Sequence, residues 1–253
     1  MLALPGRMKL HSTALTHVGR RQNNEDSLFT DCPLGLFAVA DGMGGYEGGE
    51  IASQLAIQTL VEFVTRNARD DDVTWPYALD LQATLAENMA TVAARIAHEQ
   101  IAHRRTGRLK QMGSTLAMML VDEHQAVLAH IGDSRIYRLR DGILAQMTED
   151  HSLYEELRRA GGELPSRDRF QYSNVITRAL GVSGSADVQT VDLEVGDVYL
   201  LCTDGLTEAI DEDTIADTLA HTPRAEVCGQ LIDMAYDAGS RDNITAVVVY
   251  CDA

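Results

Sequence analysis

The chain has little cysteine, proline, aromatic residue or positive charge. Its 253 residues include four cysteines, five prolines and one tryptophan, and only 5% are aromatic. Cys32, Cys202, Cys228 and Cys251 are scattered, with no C-x-x-C pair. That excludes a disulfide framework and a thiolate zinc knuckle, and it predicts reduced thiols in a cytoplasmic protein. The prolines form no linker, and no repeat or low-complexity tract interrupts the chain, so residues 1–253 read as one domain. Lys and Arg total 21 against 38 Asp and Glu, a formal charge of −17. Nucleic-acid backbones and anionic membrane surfaces are bound by clustered basic residues, so the charge excludes both as partners. The longest apolar runs, residues 116–121 and 246–251, are six residues each, whereas a membrane span needs ~20. Residues 1–10 contain no apolar stretch of secretory-signal length.

What is present is a globular composition, 45% hydrophobic. Residues 10–18, 34–40, 115–121, 126–131, 135–139, 143–146, 198–202 and 244–250 read as strands. Asp141-Gly142 joins two of them as a hairpin turn. Residues 51–64 and 77–103 read as helices, the second carrying a stripe of Leu81, Leu85, Met89, Val92 and Ile96. Shorter helices are predicted over 152–160, 212–220 and 225–238, with acids 211–213 at a helix N-terminus. Residues 69–72 are a charged loop, and 161–174 are polar and irregular, a candidate flap. Strand blocks alternate with helix pairs rather than strictly as βαβ, which indicates antiparallel sheets covered by helices.

An acid recurs at strand ends, with a glycine or small polar residue beside it. Asp41-Gly42 follows one strand, Asp133 follows Gly132, Asp204-Gly205 follows another, Asp242-Asn243 precedes the last, and Glu25-Asp26 precedes Leu28-Phe29. Singly, such pairs are turns. Five converging on one sheet edge would repel unless a cation sat among them, and oxygen donors suit Mg²⁺ or Mn²⁺. Other motifs fail on spacing. Gly42, Gly44, Gly45, Gly48 and Gly49 do not form G-x-G-x-x-G, because the sixth position from Gly42 is Glu47, and no Walker lysine follows. His98 and His103 are five apart, not the four of a zincin helix. Gly132-Asp133-Ser134-Arg135-Ile136 is not a nucleophile elbow.

The segments Arg21-Gln22-Asn23-Asn24-Glu25-Asp26, Ala40-Asp41-Gly42-Met43-Gly44-Gly45, Gly113-Ser114-Thr115, Gly132-Asp133-Ser134-Arg135, Thr203-Asp204-Gly205-Leu206 and Ser240-Arg241-Asp242-Asn243-Ile244-Thr245 resemble, in order, the motif series of bacterial metal-dependent protein Ser/Thr phosphatases of type 2C. The resemblance implies an α+β fold, a four-layer α-β-β-α sandwich of two central antiparallel sheets with a small flap over about residues 152–174. It implies two Mn²⁺ or Mg²⁺ ions and a third, weaker one. Asp41 would bridge two ions, the Gly42 carbonyl would serve the second, and Asp204 and Asp242 the first. Glu25 and Asp26 would act partly through water, Asp133 with Asp204 would take the third ion, and Arg21 would pair with the substrate phosphate. The implied activity is hydrolysis of phosphoserine and phosphothreonine in proteins by a metal-activated water. A monomer opposing a cognate Ser/Thr kinase is the expected setting. A phosphohydrolase for small phosphate esters and a non-catalytic binding module are the alternatives.

Where many eukaryotic members carry histidine, this chain has Met43, which cannot donate a proton to the leaving group. His151, beside the flap, is a candidate acid, though a structural role suits it better. Arg178 is a candidate second anion contact for which pairing with a carboxylate is the better reading.

Overall fold

The computed structural model describes residues 8–45, 47–68, 75–162 and 164–253. The predicted loop at 69–72, and most of the stretch read for a signal, lie outside these residues. In chain order the elements are β1 Lys9–His17, β2 Asp26–Asp31, β3 Leu36–Met43, α1 Gly48–Asn67, α2 Leu85–Arg104, β4 Gly113–Ser114, β5 Leu116–Asp122, β6 Gln125–Ile131, β7 Arg135–Arg140, β8 Ile143–Gln146, α3 Leu153–Arg159, β9 Asp187–Asp192, β10 Val198–Cys202, α4 Asp204–Thr207, α5 Glu212–His221, α6 Val227–Asp237 and β11 Ile244–Asp252. Short 3₁₀ turns cover Gly107–Leu109 and Arg167–Arg169.

Two antiparallel sheets result. One runs β1-β11-β10-β7-β8, the other β2-β3-β5-β6-β9, with β4 on β3. Three apolar clusters separate four layers. Phe37, Val39, Met119, Leu128, Tyr199, Leu201 and Val249 fill the space between the sheets. Leu55, Leu60, Met89, Ala93 and Ile101 pack α1 and α2 onto the second sheet's outer face. Ile215, Leu219, Leu231 and Ile232 pack α5 and α6 onto the first. Neighbouring strand residues divide between these cores: Leu36 and Ala38 face the helices, Phe37 and Val39 the other sheet, as the period of two requires. The expected α-β-β-α sandwich is the architecture observed.

The β7–β8 hairpin turns at Asp141 (φ 50°) and Gly142 (φ 78°). Left-handed conformations at both positions match the right-handed twist of the strands, which is why Asp-Gly occupies this turn. Helix α2 corrects the sequence reading. It starts at Leu85, where Thr84 and Glu87 form a reciprocal capping box. Leu81 and Leu85 are 90% and 62% exposed, so the buried face is Ala86, Met89, Ala90, Ala93, Ala97 and Ile101. Small side chains there let α2 lie close to α1 and the sheet. β2 and β9 were not predicted as strands.

Strand register carries the acids to one end of the sandwich. Asp26 pairs with Asp41 across β2 and β3. Cys202, just before Asp204, pairs with Arg135 on one side and Ala246 on the other. Ile131, just before the turn bearing Asp133, pairs with Leu116. Residues 153–175 leave the sheets near this end, closed by a bridge between Ser152 and Ile176.

Candidate metal centre

Close backbone packing shapes the site. A Cβ on Gly42 would lie 1.9 Å from the Gly49 carbonyl oxygen, and one on Gly49 would lie 2.6 Å from the Glu25 carboxyl carbon. The glycines of the loop therefore let the N-terminus of α1 press against β3 and against Glu25, a packing role rather than nucleotide binding. The Gly42 N–H donates to the Glu25 carbonyl (3.1 Å). The Asp41 N–H donates to Thr115 Oγ1 (2.9 Å), and the Asp41 carbonyl accepts from the Thr115 N–H (2.8 Å). Gly205 is likewise obligatory, since a Cβ would lie 2.0 Å from the Asn243 carbonyl oxygen.

A cleft of about 540 Å³ opens at this end, lined among others by Arg21, Glu25, Asp41, Gly42, Asp204 and Asp242. Asp26 and Asp133 are 8% and 4% exposed and do not line it. Asp26 starts on one sheet and is held by the other. Its Oδ2 accepts from Thr203 Oγ1 (2.9 Å) and Thr245 Oγ1 (2.6 Å). Asn243 fastens the loop before β2: its Oδ1 accepts from the Glu25 N–H (2.8 Å), and its Nδ2 donates to the Val18 and Asn23 carbonyls, both at 2.9 Å. Arg21, expected at the phosphate, rests on the metal-ligand candidate Asp242, with Nη2 2.6 Å from Oδ2 and Nε donating to the Arg241 carbonyl at 3.0 Å.

The electrostatics state what is missing from the charge balance. Burial lifts the carboxyls of Asp41 and Asp204 well above the usual range, and neighbouring carboxylates lift them further. Burial pushes Asp26 up to about 7 against the pull of its threonine partners, and pushes Asp133 up to about 6. Glu25 is raised too, again chiefly by burial, although Arg21 opposes it. One oxygen each of Asp26, Asp133 and Asp204 is buried without a hydrogen-bond partner among the described residues. Buried polar atoms normally find partners. Oxygen donors of one charge sign, three with a free buried oxygen, fit Mg²⁺ or Mn²⁺ and suit neither thiophilic nor imidazole-seeking metals.

Glu208 also lines the cleft, and burial raises its carboxyl. Sequence reasoning missed it. Its signal was the i,i+4 spacing from Asp204, whose carbonyl accepts the Glu208 N–H at 2.8 Å. Asn174, the last residue of the predicted flap, and Ile176, just beyond it, line the cleft as well. Met43 lines it where a proton donor was in question. His151 does not: the ring is 1% exposed, its Nδ1 accepts from the Gly132 N–H (3.1 Å), and its Nε2 faces Asp187 Oδ2 (3.0 Å). Burial beside His130 pushes it down to about 4. A neutral ring with no free N–H is not the acid. Arg178 pairs with Asp187 through both terminal nitrogens (2.8 and 3.3 Å), as the carboxylate reading expected.

The chain is similar over most of its length to known proteins. The family profile described as Protein phosphatase 2C matches residues 15–233. The serine/threonine phosphatase stp of Listeria monocytogenes is 34% identical over 256 residues, covering 96% of each chain. The serine/threonine protein phosphatase PstP of Mycobacterium tuberculosis is 36% identical over 230 residues, 90% of this chain, which spans only 42% of that protein's length. The crystal structure of M. tuberculosis PstP superposes with a TM-score of 0.84 at 34% identity, covering 96% of this chain and 99% of that one. A structure of a PstP catalytic domain in complex with two manganese ions superposes at 0.78, with 35% identity over 97% of this chain and 100% of that one. With a family profile matched over residues 15–233 and relatives and solved structures similar over nearly its whole length, the chain belongs to the protein phosphatase 2C family.

Proposed function

We propose that this chain is a metal-dependent protein Ser/Thr phosphatase, hydrolysing phosphoserine and phosphothreonine monoesters in partner proteins. The carrying observation is the set of buried carboxylate oxygens on Asp26, Asp133 and Asp204 that have no hydrogen-bond partner among the described residues, at the cleft end of the sandwich. Asp41, Asp204 and Asp242 would hold two divalent ions with the Gly42 carbonyl, Glu25 and Asp26 assist, and Asp133 would complete a third position beside Asp204. Mn²⁺ or Mg²⁺ held there would lower the pKa of water toward neutrality and offset the charge of the phosphate. The chain's own residues do the remaining work. Arg21, which here spends Nε and Nη2 on the Arg241 carbonyl and Asp242, would turn its planar fork to two phosphate oxygens, a geometry lysine cannot reproduce. Asn243 keeps Arg21 and Glu25 in place by tying down their loop. Thr203 and Thr245 hold Oδ2 of Asp26 and so fix its carboxylate. No histidine lines the cleft among the described residues.

The relatives named as Ser/Thr phosphatases support protein substrates. The flap over 152–174 borders the cleft through Asn174 and would select the peptide. We read residues 1–253 as one catalytic unit acting as a monomer against a cognate Ser/Thr kinase. The four free thiols, three of them buried, suit the reducing cytoplasm. No helix among the described residues is long and apolar enough to cross a membrane.

The test is a phosphopeptide assay with Mn²⁺ or Mg²⁺. Release of phosphate from phosphoserine and phosphothreonine peptides, stopped by EDTA, is expected. A higher kcat/KM for a small aryl phosphate than for every peptide would move the assignment to small esters. Metal binding without hydrolysis of any ester would make the chain a binding module.

A further inference from the structure

Behind the cleft, His130, His151 and Asp187 place ligand-capable atoms within 4.8 Å of one another, a spacing that could hold a transition metal. Hydrogen bonding decides against that use. The Gly132 N–H points at His151 Nδ1 (3.1 Å), so that nitrogen is unprotonated and Nε2 carries the proton, facing Asp187 Oδ2 at 3.0 Å. Metal on Nε2 would need the other tautomer, which sets two N–H groups against each other at Nδ1. His130 Nε2 is also a donor, since its partner at 2.8 Å is the Glu149 carbonyl. Asp187 is further engaged by Arg178.

We propose that Asp187 and His151 form a positioning relay that fixes the Gly132–Asp133 turn, and with it the Asp133 carboxylate, against the acid cluster. The proposal rests on the reading of Asp133 as a metal ligand. Asp187 selects the His151 tautomer, and that tautomer offers the Gly132 N–H its acceptor. The backbone grips the same residue from the other side, the His151 N–H donating to the Gly132 carbonyl at 2.8 Å. Gly132 therefore has both its polar groups satisfied by one histidine. The turn needs such a hold. Gly132 sits at φ +103°, and a Cβ there would lie 2.6 Å from Thr115 Cγ2. Thr115 in turn binds Ser134 Oγ (2.6 Å) and the Asp41 N–H (2.9 Å). The turn is thus wedged between the residue that positions Asp41 and the ring that Asp187 orients. His151 also accepts the Thr177 N–H on its carbonyl (2.8 Å), which links the turn to the segment that follows the flap. Like the carboxylate–histidine pairs that orient ligands in other metal sites, this one acts a shell away from the ion.

The test measures Mn²⁺ binding by calorimetry, beside the melting temperature of the metal-free protein. His151→Asn keeps an acceptor near the Nδ1 position, whereas His151→Gln keeps an N–H toward Asp187 and removes the acceptor. His151→Gln is expected to weaken the weakest Mn²⁺ phase about 10-fold, in the range for lost outer-shell partners, and His151→Asn by about 3-fold or less. If the His151 variants do not fold, Asp187 decides, since its side chain is 50% exposed. Asp187→Ala is expected to weaken the same phase, and Asp187→Asn, which retains an acceptor for Nε2, to restore most of it. Equal effects of Gln and Asn at 151 with no difference between Ala and Asn at 187, or isotherms matching wild type despite lowered melting temperatures, overturn the relay. So does one Zn²⁺ bound by wild type, lost in Asp187→Ala and not displaced by Mn²⁺. A wild type that binds Mn²⁺ but cleaves no phosphopeptide defeats the proposed activity and leaves the relay to the isotherms. One that binds no Mn²⁺ defeats both.

Discussion

Asp150 and Asp204 are both carboxylates withdrawn from water near the same end of the sandwich, yet their neighbours have opposite charge. Asp150, 3% exposed, takes a paired fork from Arg135 (2.9 and 2.8 Å) and a further contact from Arg167. Burial would lift its carboxyl, but the two guanidiniums overcome that and hold it below the usual range. Asp204 has Asp133, Glu208, Asp242 and Asp26 around it, and its carboxyl rises. The chain supplies its own cations in the first case and leaves the charge open in the second. A buried carboxylate alone therefore does not mark a metal centre. The unmet demand for positive charge does.

The largest effect expected from this contrast is on activity. Asp41→Asn and Asp204→Asn remove charge where ions would bind, and each should lower Mn²⁺-dependent kcat/KM on a phosphopeptide by roughly 1000-fold, several kcal/mol of transition-state stabilisation. Near-wild-type turnover by both would break the comparison on the metal side. Next comes the self-neutralised cluster. Arg135→Met leaves Asp150 partly unpaired in the interior and should cost about 3–5 kcal/mol in urea unfolding. In metal-free protein Asp204→Asn should do the reverse and stabilise, because it relieves repulsion. Should both substitutions destabilise alike, the two clusters are not different in kind. Third, Mn²⁺ at about 100 times its Kd should stabilise wild type by ~2.7 kcal/mol, and a thermal shift absent from Asp41→Asn would confirm where it acts. The smallest effect is on pH. Folded Asp26 and Asp133 titrate near 7 and 6, above the ordinary 3.8. They bind more protons folded than unfolded between those values, so metal-free protein should lose stability as pH rises from 4 to 7.5. Asp150, depressed on folding, has the opposite sign, and its contribution is lost as pH falls below the ordinary carboxylate range. A melting temperature for metal-free protein that climbs steadily from pH 5 to 7.5 would contradict this ordering.

The acid-cluster half of this contrast left marks in the sequence, and the Asp150 half did not. Asp41, Asp204 and Asp242 stand beside Gly or Asn at the ends of apolar runs, and the ordered motif series, not the strand period, implied that they share one site. The hairpin at Asp141-Gly142 followed from its turn chemistry. β9 was missed because it is an edge strand, half-exposed and bounded by Asp187 and Asp192, so it lacks an apolar run. The start of α2 was misplaced because Leu81 and Leu85 imitate a core stripe, while the true buried face is largely alanine. The capping pair Thr84 and Glu87 was there to be read. The pairing of Arg135 and Arg167 with Asp150, and the hold of Thr203 and Thr245 on Asp26, depend on tertiary contact and leave no local mark.

That hold on Asp26 has a mechanical consequence. Asp26 begins β2 in one sheet, while the hydroxyls gripping it follow β10 and lie on β11 in the other. Whatever draws on its free oxygen pulls across the inter-sheet core, so an ion bound at this end would be a cross-link as well as a reagent. Loading the cleft would fasten the two halves of the sandwich like a clasp, and slower amide exchange along β10 and β11 would report that the clasp is shut.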